Sequence, residues 1–256
     1  MEGPRILILG GTGEARLLAE TLAARGGCEV LLSLAGRTEK PAAQPVPVRI
    51  GGFGGAAALA DFLNTGGYDL LIDATHPFAE RISANAAHAA EATGITAIAL
   101  RRPEWQRLPG DHWREVRSIP AAIEALGHSP RHVFLATGRQ GAHYAEAAAQ
   151  HHYLVRSVDP VEPPLALANV DYILDRGPFT LDGELALLRQ HRIDVIIAKN
   201  SGGAATYAKI EAARLLGTEV MMVTRAKASM VKTVETVDAA LAAIDHLFPS
   251  AMKRGV

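Results

Sequence analysis

The sequence predicts an α/β fold of two domains, each a doubly wound parallel sheet with helices on both faces, and three observations carry that expectation. Hydrophobic residues make up 48 % of the chain and aromatic ones only 5 %, over an alanine-rich background. Small side chains of this kind suit helices packed on a parallel sheet better than an aromatic β-sandwich. Short apolar runs alternate with stretches of helical periodicity, the strand, helix, strand rhythm of a parallel sheet. A length of 256 residues then suits two cores better than one.

In chain order, the first strand is expected over residues 6–9, followed by a helix over 15–24 with Ala15, Leu18, Ala19 and Leu22 on one face. Further strands are expected over 30–34, 70–74 and 96–100, with helices over 56–63 and 78–92, so that residues 1–100 form the first domain. Between Arg101 and Arg117 the composition shifts to two prolines, both tryptophans and five arginines against three acids, which marks 101–117 as the crossing between domains. The rhythm restarts with a helix over 119–126, a strand over 132–136, a helix over 142–150 and a strand over 153–158. After the proline-rich "DPVEPP" come strands over 172–174, 195–198 and 220–223 and helices over 181–191, 204–216 and 237–248. These assign 118–256 to the second domain.

Charge and cysteine content exclude several functions. Lysine plus arginine (26) nearly balances aspartate plus glutamate (27), so no global field favours nucleic acid or an acidic membrane. Cys28 is the single cysteine and forms no internal disulfide or thiol pair, which fits a reducing cytoplasm. No apolar run approaches the roughly 18 residues needed to span a bilayer, and the N-terminus is unlike a signal peptide. The ten histidines include the neighbours His151 and His152, with His143 eight residues earlier, but no cysteine or acidic third ligand completes a metal set. They are expected at the surface, and no metal is expected.

Ligands of a doubly wound sheet settle beyond the carboxyl ends of its strands, which directs attention to five turns. In the first, "LGGTGEARLLAE", Gly10, Gly11, Thr12, Gly13, Glu14 and Ala15 lead into a helix whose N-terminus suits a pyrophosphate. The match to G-x-G-x-x-G is imperfect, because Arg16 stands where the third glycine belongs; the alternative is a plain tight turn. In the second, Ser33, Gly36 and Arg37 stand where a carboxylate would select a free ribose. A guanidinium there suits the 2′-phosphate of NADPH, or else pairs on the surface with Glu39.

In the third, "IDATHPFA", Pro77 opens a helix and leaves Thr75 and His76 at the strand end, with Phe78 following. His76 is a candidate proton donor, a ligand contact or a polar cap. The fourth, "ATGRQG", offers Thr137, Gly138 and Arg139. The fifth, "AKNSGGAATYAK", offers Lys199, Asn200, Ser201 and Gly202 at a helix start, an anion site in outline without Walker spacing. Ser201 is alternatively an N-cap, and Lys209 belongs on a solvated helix face.

The motifs "LGGTGEARLLAE", "DATHPFA", "ATGR", "DRGPF" and "AKNSGG" occur in that order, and together they resemble the precorrin-6x reductase family of cobalamin (vitamin B12) biosynthesis over nearly the whole chain. The resemblance implies two Rossmann-like domains with cofactor and macrocycle in a cleft between them, and NADPH-dependent reduction of one double bond of the anionic tetrapyrrole precorrin-6A. It implies that residues 10–15 hold the pyrophosphate, that Ser33, Gly36 and Arg37 hold the ribose phosphate, and that residues 75–78 line the nicotinamide side. Thr137, Gly138, Arg139, Arg176 and the segment 199–203 would contribute from the second domain. Cationic Arg139, Arg176 and Lys199 at strand ends suit a substrate fringed with carboxylates. Two other readings remain at this level: an NADP-dependent dehydrogenase or epimerase of a small metabolite, and a two-lobed binding protein without chemistry. A monomer is compatible with the sequence.

Overall fold

A computed structural model of the chain describes residues 3–36, 43–226 and 231–249. It divides into two compact units, one formed by residues up to Arg102 and from Ala226 onward, the other by Pro103–Arg225. The first contains β1 (Arg5–Leu9), α1 (Gly13–Arg25), β2 (Glu29–Leu34), β3 (Val48–Ile50), α2 (Ala56–Thr65), β4 (Leu70–Asp73), α3 (Glu80–Thr93) and β5 (Thr96–Leu100). The second contains β6 (Trp113–Val116), α4 (Ile119–Ala125), β7 (His132–Ala136), α5 (Arg139–Ala142), a 3₁₀ turn (His143–Ala148), β8 (His152–Ser157), β9 (Val170–Leu174), α6 (Leu181–Gln190), β10 (Val195–Lys199), α7 (Ala208–Leu216) and β11 (Glu219–Val223). The chain then returns to the first unit with β12 (Lys232–Val234) and α8 (Val237–Leu247).

Each unit has a six-stranded sheet, ordered β12-β5-β4-β1-β2-β3 and β6-β11-β10-β7-β8-β9, and the strand pairs are parallel. The two orders coincide when β7 is matched to β1. A strand buried on both faces reads as a continuous apolar run, and β1 shows why. Ile6 and Ile8 pack with Leu18 and Leu22 of α1 and with Leu241 and Ile244 of α8. Leu7 and Leu9 face the other way, onto Leu59 and Leu63 of α2 and Ala86 and Ala89 of α3. In the second unit Phe134, Ile196 and Val220 form a core with Leu188 of α6 and Ile210 of α7.

The expected α/β class holds, and the expected boundaries need correction. Continued along the chain, β6 would complete the first sheet and β12 the second. Instead β6 pairs with β11, with Val220 opposite Trp113, and β12 pairs with β5, with Thr233 opposite Ala99. Each sheet therefore takes its sixth strand from the stretch of chain that follows the other sheet's fifth. Residues 103–117 belong to the second unit rather than to a crossing, and the final helix belongs to the first rather than to a domain running from 118 to 256. The helix expected over 142–150 is the four-residue α5 and the 3₁₀ turn. Strands β3, β6 and β12 escaped the sequence pattern because they are edge strands of three or four residues, too short and too solvated to make an apolar run.

Among the described residues no helix is long and apolar enough to cross a membrane. The return of α8 gives a direct test. Ile244 is fully buried in the first unit's core, so Ile244→Ala should lower unfolding free energy by about 2–5 kcal/mol in denaturant titration. In hydrogen exchange β4 and β5 should lose protection while β7 and β10 keep it.

Candidate functional site

A doubly wound sheet opens a crevice where its strand order reverses. In the first unit this is between β1 and β4, and in the second between β7 and β10. Four of the five turns singled out in the sequence follow these four strands.

After β1 the three glycines have three different causes. A Cβ on Gly10 would lie 2.6 Å from Leu32 Cδ1, so any larger residue would have to displace the Leu32 side chain of β2. Gly11 has φ +118°, a region that L side chains rarely adopt. Gly13 has neither constraint: it opens α1, and a Cβ there would meet nothing within 4 Å. Of the three, Gly13 is therefore the one that neither packing nor backbone conformation requires. Thr12 caps α1, its hydroxyl accepting from the Ala15 amide (3.1 Å) and donating to the Ala74 carbonyl (2.8 Å). The turn after β1 is thereby fastened to the turn after β4, and Thr12's hydroxyl is engaged inside the protein.

The turn after β4 rests on a buried carboxylate. Asp73 Oδ1 accepts from the Thr75 amide (3.1 Å) and the Thr75 hydroxyl (2.7 Å), while Oδ2 pairs with Arg101 from the end of β5. Arg101 also donates to the Asp73 carbonyl (2.7 Å), the Thr75 carbonyl (3.1 Å) and Ser83 Oγ (2.7 Å). Beyond this knot, His76 Nδ1 accepts from the Phe78 amide (3.2 Å), so the imidazole proton sits on Nε2, as that hydrogen bond assigns it. Pro77 and Phe78 carry the chain into α3, and the Phe78 ring lies 5.9 Å from that of His76.

Ser33 is buried at the end of β2, opposite Leu9, and its carbonyl accepts from the Gly10 amide. Gly36 follows with φ +70°, and Arg37 lies outside the described residues. Glu14 points to a cation that the sequence did not disclose: Arg102 Nη1 donates to both its oxygens, at 3.1 and 2.9 Å. Arg101 and Arg102 were both expected in a linker. Their partners are 28 and 88 residues away, beyond any local pattern.

In the second unit the turns after β7 and β10 are fastened in the same way, Lys199 Nζ donating to the Thr137 carbonyl (3.2 Å). Thr137 Oγ1 is buried without a hydrogen-bond partner, Gly138 has φ +76° and Arg139 begins α5. Asn200 and Gly202, expected to meet a ligand, have internal duties. The Asn200 amide accepts from Trp105 N (2.8 Å) and donates to Trp105 O (3.1 Å). A Cβ on Gly202 would lie 2.0 Å from Pro103 O. Ser201 N donates to Lys199 O (2.7 Å), as part of this tight turn. Trp105 Nε1 holds the Gly203 carbonyl (2.8 Å), so the whole loop is folded around one tryptophan. Arg176 is exposed after β9, at the sheet edge two strands from β7.

Two further expectations are corrected. Lys209 is buried, with Nζ donating to Thr206 O (2.6 Å) and lying 4.9 Å from the Trp105 ring centroid. Near it Arg156 forms a two-pronged pair with Glu184 and stacks on Phe179 at 3.7 Å. His151 is buried, and its Nδ1 accepts from the Arg131 amide (3.2 Å); burial pushes its pKa down. Among the described residues no group of three or more His, Cys, Asp or Glu is arranged to hold a metal ion.

Comparison with known proteins adds independent findings. Residues 5–245 match the family model described as precorrin-6x reductase CbiJ/CobK. A precorrin-6A reductase of a Sinorhizobium species is 59 % identical over 96 % of this chain and 94 % of its own. A cobalt-precorrin-6A reductase of Priestia megaterium is 30 % identical over 87 % and 91 %. The solved structure of a CobK precorrin-6A reductase, 45 % identical, superposes with a TM-score of 0.92 and covers 99 % of this chain and 100 % of that one.

Lys209 ties the stability of the second unit to pH. Burial, and then the Arg156 charge, push its pKa from the ordinary 10.5 down to about 7, with Glu184 opposing. Below about pH 7 the folded and unfolded chains both hold the proton and the full cost of a buried ammonium applies. As pH rises from 7 toward 10.5 the folded chain releases the proton first, so stability increases, by at most about 1.4 kcal/mol per pH unit. Lys209→Met should flatten this rise in denaturation curves taken between pH 7 and 10.

Proposed function

The chain belongs to the precorrin-6x reductase family, and from that membership we propose that it reduces one double bond of the tetrapyrrole macrocycle precorrin-6A to give precorrin-6B in cobalamin biosynthesis, using NADPH. The observation that carries the cofactor part is Gly13, a helix-opening glycine facing open space, beside a turn locked to the end of β4. When bound, the cofactor supplies the hydride, and the protein's share is binding, orientation and exclusion of water.

Several residues fit a dinucleotide at the first unit. The amides of Gly11–Ala15 and the N-terminus of α1 offer partial positive charge to a pyrophosphate without needing the missing third glycine. Arg102 neutralises Glu14 at that helix end, where an unpaired carboxylate would repel phosphate. Ser33 and Gly36 border the adenosine side. Arg37 is our choice for the 2′-phosphate, because a guanidinium forks around that group. Thr75, His76, Pro77 and Phe78 line the nicotinamide side, with the His76 ring oriented by the Phe78 amide.

For the second unit we assign Thr137, Gly138, Arg139 and Lys199 to the carboxylate arms of the substrate. The buried, unpaired Thr137 hydroxyl has a hydrogen bond to give, and an unmade bond of this kind costs about 1–3 kcal/mol. We take the metal-free macrocycle as substrate because the Sinorhizobium relative, named for it, shares 59 % identity against 30 % for the Priestia relative named for the cobalt form. A reduced nicotinamide and a lone cysteine suit a cytoplasmic setting.

Purified protein should quench NADPH fluorescence and consume NADPH only when precorrin-6A is added; binding without turnover would overturn the reductase reading. Gly13→Ala should move stability and binding in opposite directions. It should stabilise the fold by about 0.4–1 kcal/mol. Its methyl group should weaken NADPH binding roughly tenfold, about 1.4 kcal/mol, in fluorescence titration.

A further inference from the structure

The "LRRP" segment at the end of β5 contributes a residue that the cofactor assignment leaves unused. Arg101 is largely buried, its side chain 16 % exposed, and Asp73, its ion-pair partner, is 6 % exposed. Removing two charges from water is costly unless every donor and acceptor is met. Here the guanidinium reaches the Asp73 carboxylate, the carbonyls of Asp73, Thr75 and Leu100, and the Ser83 hydroxyl. The Asp73 carboxylate in turn collects the Thr75 amide and hydroxyl. With Thr12 holding the Ala74 carbonyl, three successive carbonyls, those of residues 73, 74 and 75, each accept a side-chain hydrogen.

These bonds converge on three consecutive residues, 73 to 75, at the end of β4. Their common effect is to fix the main chain immediately before His76, whose ring is itself set by the Phe78 amide. We propose that Arg101 is a positioning residue of the reduction: through Asp73 and Thr75 it fixes the turn after β4 so that His76 keeps its Nε2–H tautomer directed toward the reacting side. The proposal rests on the reading above that residues 75–78 line the nicotinamide side. Lysine is a poor substitute, since an ammonium has no planar fork to span three carbonyls, a carboxylate and a hydroxyl together.

The test combines the cofactor-free protein with kinetics. In ¹⁵N-histidine spectra without ligand, with the His76 signals identified by their loss in His76→Gln, the wild type should show protonated Nε2 and unprotonated Nδ1. Arg101→Lys should show the averaged signals of two tautomers. With NADPH and precorrin-6A, Arg101→Lys should lower kcat about 10- to 100-fold while KM and the NADPH dissociation constant stay within about twofold of wild type. If Arg101 acts through His76, the losses in Arg101→Lys and His76→Gln are non-additive in the double variant. Should Arg101→Lys not fold, Ser83→Ala, which removes one of Arg101's acceptors, is put through the same comparison with smaller losses expected.

An unchanged tautomer pattern in Arg101→Lys, or additive losses with His76→Gln, would overturn the role of Arg101 alone. His76→Gln turning over at the wild-type rate would instead remove His76 from the reacting side, and with it the assignment of residues 75–78.

Discussion

The end of β4 is the constraint on which the first unit's site depends. A parallel strand that stops at a crevice leaves carbonyls with no neighbouring strand to receive from. Here Arg101, Thr12 and Arg101 again supply hydrogens to the carbonyls of residues 73, 74 and 75. Since Thr12 is also the N-cap of α1, the same bonds that finish β4 set where the glycine turn lies. Freed from Ala74, the α1 N-terminus would still form, because its cap is local, but it would lose its direct bond to the turn after β4 and keep only the core packing of α1 and the Glu14–Arg102 pair to place it.

The second unit reaches the same arrangement with different chemistry. Its β7 and β10 turns are joined by the Lys199 ammonium on the Thr137 carbonyl, where the first unit uses a neutral hydroxyl. A hydroxyl clasp leaves the helix dipole as the main positive element beside Gly13, which suits a phosphate held by main-chain amides. An ammonium clasp brings a full charge to the crevice, which suits carboxylates. One topology used twice thus yields two surfaces of different electrostatic character, in a chain whose net charge is only −1.

The sequence disclosed what local patterns encode. The two-faced burial of β1, the α1 stripe and the polar turns after β1, β4, β7 and β10 all showed as apolar runs interrupted by glycine, threonine or proline. What it hid depends on distance along the chain. Edge strands β3, β6 and β12 carry too few apolar residues to announce themselves, and the exchange of β6 and β12 is a choice of partner that no local pattern records. Lys209 occupies a helix position that looked solvated, and only the fold shows Trp105, 104 positions earlier, lying over it. The internal contacts of Asn200 with Trp105 and the close approach of Gly202 to Pro103 were hidden because a glycine-rich polar loop does not announce which distant residues it packs on.

The arginines separate charge that builds the fold from charge that meets a ligand. Arg101 is paired with Asp73, Arg102 with Glu14, Arg156 with Glu184 and Arg214 with Asp111, and in each pair at least one partner is mostly buried. Such pairs gain little net stability once desolvation is counted, yet losing one partner leaves a buried charge uncompensated. Their value lies in geometry: each ties a strand end or loop to a position far along the chain, at 28, 88, 28 and 103 residues' separation. With Arg101 and Arg102 committed to carboxylates in the first unit, the proposed pyrophosphate contact falls to the amides of residues 11–15, and the 2′-phosphate to Arg37. Gly13, which the helix itself does not require, is therefore the residue on which the proposed phosphate contact is best tested.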